Sequence, residues 1–344
     1  MAYDIKHHIQ AEMELKQRRA ASADALERRT AEFIKHFPEY VDLRKTLAAT
    51  GAKIARAAML PDKQQAVEEI DRLQRETNAV NARIRALLLS GGYAEDYLVL
   101  IPSCRICSDT GLAGGMHCDC YKKAVERCAV AEMNEKSPLM LTGFDTFDIS
   151  LYPEKITKQF GKNKAIREIM QEVFDYCKNY AENFHLPNAG MLMLGRTGLG
   201  KTHLSLAIAG SVMSKGYTAI HGSAQDMFRR VEKEHFSGSG DYALEMFQKA
   251  DLLVIDDVGA EFKSSDFYVS TLYNLINFRN AAGKPTIVNT NLSFKELKQR
   301  YTERIVSRLL SMKILWFVGN DIRQIKSQEI NPCFDDIAML QQES

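Results

Sequence analysis

Gly195-Arg196-Thr197-Gly198-Leu199-Gly200-Lys201-Thr202 satisfies the pattern G-x-x-x-x-G-K-[ST] at every fixed position. Its flanks are the ones the pattern requires. Met191-Leu192-Met193-Leu194 is an apolar run short enough for a buried strand, and His203-Leu204-Ser205-Leu206-Ala207-Ile208-Ala209 opens a helix. Strand, glycine loop and helix N-terminus together make a phosphate cradle. The glycines let backbone N–H groups turn inward, and the helix dipole adds positive potential at the anion. Within Gly195–His203, Lys201 would reach the β- and γ-phosphates, and the Thr202 hydroxyl would ligate Mg²⁺. The stretch predicts a nucleoside triphosphate site.

Working outward, helices and short apolar strands alternate from about residue 160, which predicts a parallel sheet with helices on both faces. Ile166 to Tyr180 reads as an amphipathic helix. The strands are Met191–Leu194, Tyr217–Ile220, Leu252–Ile255 and Thr286 onward. The third strand runs into Asp256-Asp257, placing two carboxylates at its C-terminal edge beside the phosphate loop. Asp256 would hold Mg²⁺ through water, and Asp257 would polarise the attacking water. The fourth strand ends in Asn289-Thr290-Asn291. A polar residue there could sit between metal and γ-phosphate; Asn291 is the first choice and Asn289 the reserve.

Residues 1–95 are polar, charged and nearly free of glycine. Pro38 and Leu60-Pro61-Asp62 divide them into three helices. In the last, Ala66, Ile70, Leu73, Thr77, Val80, Ile84 and Leu87 form a heptad-like seam ending at Gly91-Gly92. That stripe needs another helix to cover it, either within the chain or from a docked partner. Residues 96–130 contain Cys104-Arg105-Ile106-Cys107 and His117-Cys118-Asp119-Cys120. Two close cysteine pairs can give four thiolates to a tetrahedral Zn²⁺, with Gly111, Gly114 and Gly115 turning the chain between them. Because C-x-C is less regular than C-x-x-C, His117 or Cys128 could replace one ligand. A redox pair is the rival reading, but it lacks a βαβ setting. Residues 131–160 form a connector, in which Phe144 and Phe147 either pack or meet a base.

Charged residues make up 26% of the 344, and the formal net charge of +1 predicts no global field toward nucleic acid. There is no apolar run of membrane-spanning length and no signal peptide, so a cytoplasmic protein is expected.

The nucleotide loop, the paired aspartates, Asn291, Glu303-Arg304-Ile305-Val306-Ser307-Arg308-Leu309 and Gly319-Asn320-Asp321-Ile322-Arg323 resemble the AAA+ ATPases. Within them the chain resembles bacterial replicative helicase loaders of the DnaC/DnaI type and the related IstB transposition ATPase, over about residues 96–326. The resemblance implies a three-layer αβα P-loop core over residues 161–330, slow ATP hydrolysis, and an ATP site shared between self-associated subunits. It implies a replicative hexameric helicase and single-stranded DNA as partners, or, in the IstB-type alternative, a transposase. Arg308, or Arg304 one turn away, would be the finger reaching a neighbour's ATP, and Arg323 would act in cis. Only 21 residues follow Arg323, so the helical lid is expected to be largely absent and residues 331–344 to form a tail. Relatives use an insertion after the second strand to track DNA. Here it is Gln225 to Phe236, where Arg229, Arg230 and Lys233 could meet phosphates and Phe236 could stack on a base.

Overall fold

The computed structural model describes residues 3–135, 137, 142–159, 162–238, 240–260 and 266–325. The chain divides into two compact units, residues 3–126 and residues 127 onward, with the division falling inside one helix, Asp119–Met133. The expected tail, 331–344, lies outside the described residues.

The first unit is built from α1 (Ile5–His36), α2 (Tyr40–Ala57) and α3 (Lys63–Ser90). The breaks fall where the prolines put them. Asp4 caps α1 by accepting from Lys6 N at 3.0 Å, and Asp62 caps α3 by accepting from Gln64 N at 2.9 Å. The α3 seam is covered by α2, with Leu73 fully buried and Leu87 and Leu88 packed against Phe33 and Tyr40. Intramolecular packing therefore satisfies that stripe. Two short strands, β1 (Leu112–Ala113) and β2 (Met116–His117), then lead into α4 (Asp119–Met133). Ala11 and Leu15 of α1 cluster with Tyr121, Ala124 and Val125, so the cysteine segment is seated on α1.

The second unit opens with an antiparallel hairpin, β3 (Ile156–Gln159) and β4 (Lys162–Ala165), which the sequence pattern did not predict. Then follow α5 (Ile166–Glu182), β5 (Met191–Leu194), α6 (Lys201–Ser214), β6 (Ala219–Ser223), α7 (Ala224–Ser237), α8 (Tyr242–Lys249), β7 (Leu252–Asp256), α9 (Asp266–Ala281), β8 (Thr286–Thr290), α10 (Phe294–Arg300), α11 (Glu303–Leu310) and β9 (Lys313–Trp316). The sheet is all parallel in the order β6-β7-β8-β5-β9. Met191, Met193, Val254 and Ile287 face one core with α5 and α6, and the alternate set Leu192, Leu253, Ile255 and Val288 is also fully buried. Both faces of the sheet are therefore covered, as a three-layer αβα unit demands. The second strand begins two residues later than expected and continues through His221-Gly222-Ser223, because Ser223 still pairs with Asp256. A fifth strand, β9, extends the sheet beyond β5.

Candidate functional site

β5 delivers the chain into the loop at Gly195, and α6 begins at Lys201 with Gly200 as its left-handed N-cap at φ 86°. Two glycines are needed sterically. A Cβ on Gly200 would lie 2.8 Å from the Phe147 ring, and one on Gly198, at φ 78°, would strike the Asp321 carboxylate. The loop is further pinned from outside, because Tyr152 donates its buried hydroxyl to Leu199 O at 2.9 Å and Ile322 N donates to Gly198 O at 3.0 Å. α6 is apolar nearly all round and buried, so the cradle stands on a fixed helix.

The expected polar residues converge here. Lys201 Nζ donates to Gly195 O, Arg196 O and Asn291 Oδ1, each at 2.7 Å. Asn291 Nδ2 in turn donates to Asp257 Oδ1 at 3.2 Å. Thr202 Oγ1 donates to Asp256 Oδ2 at 2.8 Å, and Asn289 Nδ2 to Asp256 Oδ1 at 2.8 Å. The two asparagines thus divide the work. Asn289 is buried behind the first aspartate, and Asn291 faces the open site with the lysine and the second aspartate. Asp257 itself sits in the left-handed region, at φ 54°.

Lys201, Thr202, Asp257 and Asn291 line a cavity of about 540 Å³ with Thr197, Gly198, Leu199, Gly200, His203 and Arg323, whereas Asp256 lines a neighbouring cavity with His221. Phe147 and Leu151 supply apolar wall; Phe147 also packs on Phe174 and against the core, so packing and lining are both true of it. Arg196 lies exposed on the loop. Arg308 is outside this cavity's lining, half-buried on α11, where it donates to Asn277 Oδ1 at 2.9 Å and lies 4.5 Å over the Tyr273 ring. Arg304 is exposed one turn before it. On α7, Arg229 and Lys233 are exposed, whereas Arg230 is engaged by Glu132 at 3.6 Å and Glu234 at 3.4 Å. Phe236 is 73% exposed and edges against Phe267.

Electrostatics follow from burial. Desolvation brings Lys201 down to about 8, against the pull of Asp257 and Asp256. Burial pushes the Asp256 carboxyl up, but His221 by its proximity, and Asn289 and Thr202 by hydrogen bonds, more than offset this and hold it below its ordinary value. A polyphosphate beside Lys201 must restore its charge, so binding takes up a proton above about pH 8. ATP affinity is therefore expected to be constant below about pH 8 and to fall by up to about tenfold per pH unit above it. Calorimetric titration with a non-hydrolysable ATP analogue across that range measures this; a flat profile would exclude it.

In the first unit, the sulfurs of Cys104, Cys107, Cys118 and Cys120 all lie within 4.8 Å of one another. His117 instead stacks on Tyr121, and Cys128 is not in the group. The buried Asp109 carboxylate accepts from Ser103 N and Cys104 N, fixing the first knuckle. Burial would raise the Cys107 thiol, but hydrogen bonds from Cys120 and the Gly111 N–H lower it to about 7. Four converging sulfurs fit a soft tetrahedral divalent cation.

Residues 180–319 match the family model of the IstB-like ATP binding proteins. Over that stretch the chain is similar to the IstB-like ATP binding proteins. It is 28% identical over 147 residues to the replicative helicase loader DnaC of Escherichia coli (strain K12), covering 42% of this chain and 59% of that protein. It is 28% identical over 178 residues to DnaC of Buchnera aphidicola subsp. Acyrthosiphon pisum, covering 49% and 71%. The solved structure of the DnaC helicase loader aligns with 53% of this chain and 99% of its own, at 23% identity and a TM-score of 0.45. No helix among the described residues is long and apolar enough to cross a membrane.

Two residues of the second unit escaped the sequence reading. His221 lies just past the expected strand, Tyr217–Ile220, yet its side chain is buried beside Asp256. Arg279 reads as a solvated helix-end cation yet is fully buried. A charged residue in a helix reveals burial only through its tertiary neighbours.

Proposed function

We propose that this chain is an ATP-dependent replication protein that binds the hexameric replicative helicase and helps load it onto single-stranded DNA. ATP hydrolysis is its switch. The observation that carries the reading is the joined pair of contacts at the cavity, Lys201–Asn291–Asp257 and Thr202–Asp256, in a domain similar to that of the DnaC loaders. Thr202 and Asp256 would hold Mg²⁺, whose positive charge supports phosphoryl transfer. Lys201 would bind the phosphates, Asp257 and Asn291 would orient the attacking water, and Arg323 would neutralise developing charge in cis. Arg308, outside its own cavity, would serve the ATP of a neighbouring subunit in an assembly of copies working in the cytoplasm. Arg229, Lys233 and Phe236 are the proposed contacts to single-stranded DNA; Arg230 is the weaker candidate because two glutamates already hold it.

The division of labour proposed for the chain is a helical docking region at 1–95, a zinc knuckle at 96–130, a connector at 131–160 and the AAA+ domain at 161–330. Zinc in the Cys104, Cys107, Cys118, Cys120 cluster is checked by elemental analysis. One equivalent is expected in the full chain and none in Cys104→Ser. The match to the IstB-like model supports a second reading, a transposition helper partnered by a transposase.

Capture of the host's replicative helicase by the full-length chain tests the first reading. Deleting residues 1–95 is a blunt probe, because Ala11 and Leu15 are part of the cluster that seats the cysteine segment. Ile9 and Met13, exposed by 52% and 57% on one face of α1, are better targets. Capture lost on Ile9→Glu with Met13→Glu is the expected result. No capture by the wild-type chain, with or without ATP, would sink the loader reading and turn attention to a transposase.

A further inference from the structure

β6 is an edge strand, and His221 on it points toward the aspartate at the end of β7. Its imidazole is nine-tenths buried. Nδ1 lies 2.8 Å from Ser137 Oγ. Among the described residues Nε2 is buried without a hydrogen-bond partner, 3.8 Å from Asp256 Oδ2, which is about 1 Å beyond a good N–H···O bond. On the other side of the same carboxylate, Asn289 Oδ1 is also buried and, among the described residues, unpartnered. Asp256 is therefore ringed by polar groups with hydrogen-bonding capacity to spare, a fit to a hydrated cation rather than to a closed structural network.

The backbone around His221 is held as firmly as its ring. Asn134 Oδ1 accepts from His221 N at 2.9 Å, and Asn134 Nδ2 donates to Ala219 O at 2.7 Å. The segment that fixes the strand also supplies Ser137. If the serine hydroxyl donates to Nδ1, the neutral imidazole carries its hydrogen on Nε2, on the side of Asp256. One hydroxyl thus selects the tautomer that offers a donor to the metal-facing aspartate.

We propose that His221 is a positioning residue of the magnesium site. Oriented by Ser137, it aims the Asp256 carboxylate at the cation from outside the ligand shell. The proposal rests on the reading of Thr202 and Asp256 as the magnesium-holding pair. Outer-shell donors of this kind typically contribute ten- to a hundredfold in metal affinity. A histidine that merely filled space would need neither the serine nor a nitrogen left beside a carboxylate.

The test is Mn²⁺ binding by electron paramagnetic resonance, on the full chain with a non-hydrolysable ATP analogue, alongside binding of the same analogue in EDTA. His221→Ala and His221→Asn are expected to weaken Mn²⁺ binding by about 10- to 100-fold, with analogue binding in EDTA unchanged. Gln reaches to the Nε2 position and Asn does not, so His221→Gln should recover most of the loss. Ser137→Ala, which leaves the ring in place, should weaken Mn²⁺ binding by about threefold or more, and it remains informative if His221→Ala fails to fold. Wild-type Mn²⁺ affinity in both His221→Asn and Ser137→Ala would overturn the proposal. So would a His221→Gln protein as weak as His221→Ala, because that pattern belongs to packing. Failure of the underlying reading looks different: Asp256→Asn would then bind Mn²⁺ as the wild type does, or the wild type would take up none with the analogue.

Discussion

Lys201→Ala should lower the rate of ATP hydrolysis by about 10²- to 10³-fold or more, the scale of losing one preorganised charge aimed at a transition state. The lysine's surroundings explain why nothing nearby can substitute. Its ammonium is held by two loop carbonyls and Asn291, and among the described residues the other Lys or Arg lining the cavity is the exposed Arg323. Removing it also frees Asn291 and, through it, the hold on Asp257. Stability should move little. The alanine loses three hydrogen bonds but also removes a charge whose burial is costly enough to bring its pKa to about 8. Phosphate release and thermal unfolding, measured side by side, check both halves. A variant retaining more than about a tenth of the activity would show that phosphate binding rests on the loop N–H groups alone.

Arg279→Met should cost about 3–5 kcal/mol of unfolding free energy, without changing nucleotide affinity in the protein that remains folded. Arg279 is fully buried in α9 and, among the described residues, has no carboxylate in hydrogen-bond contact. Its guanidinium donates instead to Phe247 O, Gln248 O, Ala250 O, Pro285 O and Thr286 Oγ1. Three of those acceptors are the last carbonyls of α8 and the residue just past it, where the negative end of a helix dipole compensates a buried cation. The other two lie at the start of β8. Burial brings the guanidinium's pKa down to about 9, with Asp251 opposing the shift. Methionine fills similar volume but leaves the carbonyls dry. Lysine offers three donors on one nitrogen and cannot span the fork, so Arg279→Lys should recover only part of the loss. Urea unfolding of the three proteins decides it; a cost below about 1 kcal/mol would mean that water reaches the carbonyls.

The phosphate loop, its strand and helix, the paired aspartates and the three N-terminal helices were all legible in the sequence. Each is a local pattern: glycines that a left-handed backbone demands, prolines that end helices, and apolar runs whose length fits a strand. The four cysteines were legible as a group, and the structure brings the sulfur of Cys120 together with those of Cys104, Cys107 and Cys118. Less was visible where pairing, not propensity, makes the element. Lys313-Ile314-Leu315-Trp316 is too short to show a period, and becomes a strand only because β5 lies beside it. His221-Gly222-Ser223 looks like a turn, yet it continues β6 because Val254 to Asp256 hold its register. The hairpin before α5 is polar on its face and carried no apolar alternation to announce it.

The Asn134 amide has a consequence for how copies of this chain could meet. β6 forms one border of the sheet, and an open border invites another strand to add to it. Asn134 occupies Ala219 O and His221 N as a neighbouring strand would, using a side chain in place of a backbone. The border is closed against runaway strand addition, the route to fibrous aggregates, at the cost of one residue. An assembly through this border must then be built from side-chain surfaces, which come apart and re-form far more readily than a shared sheet.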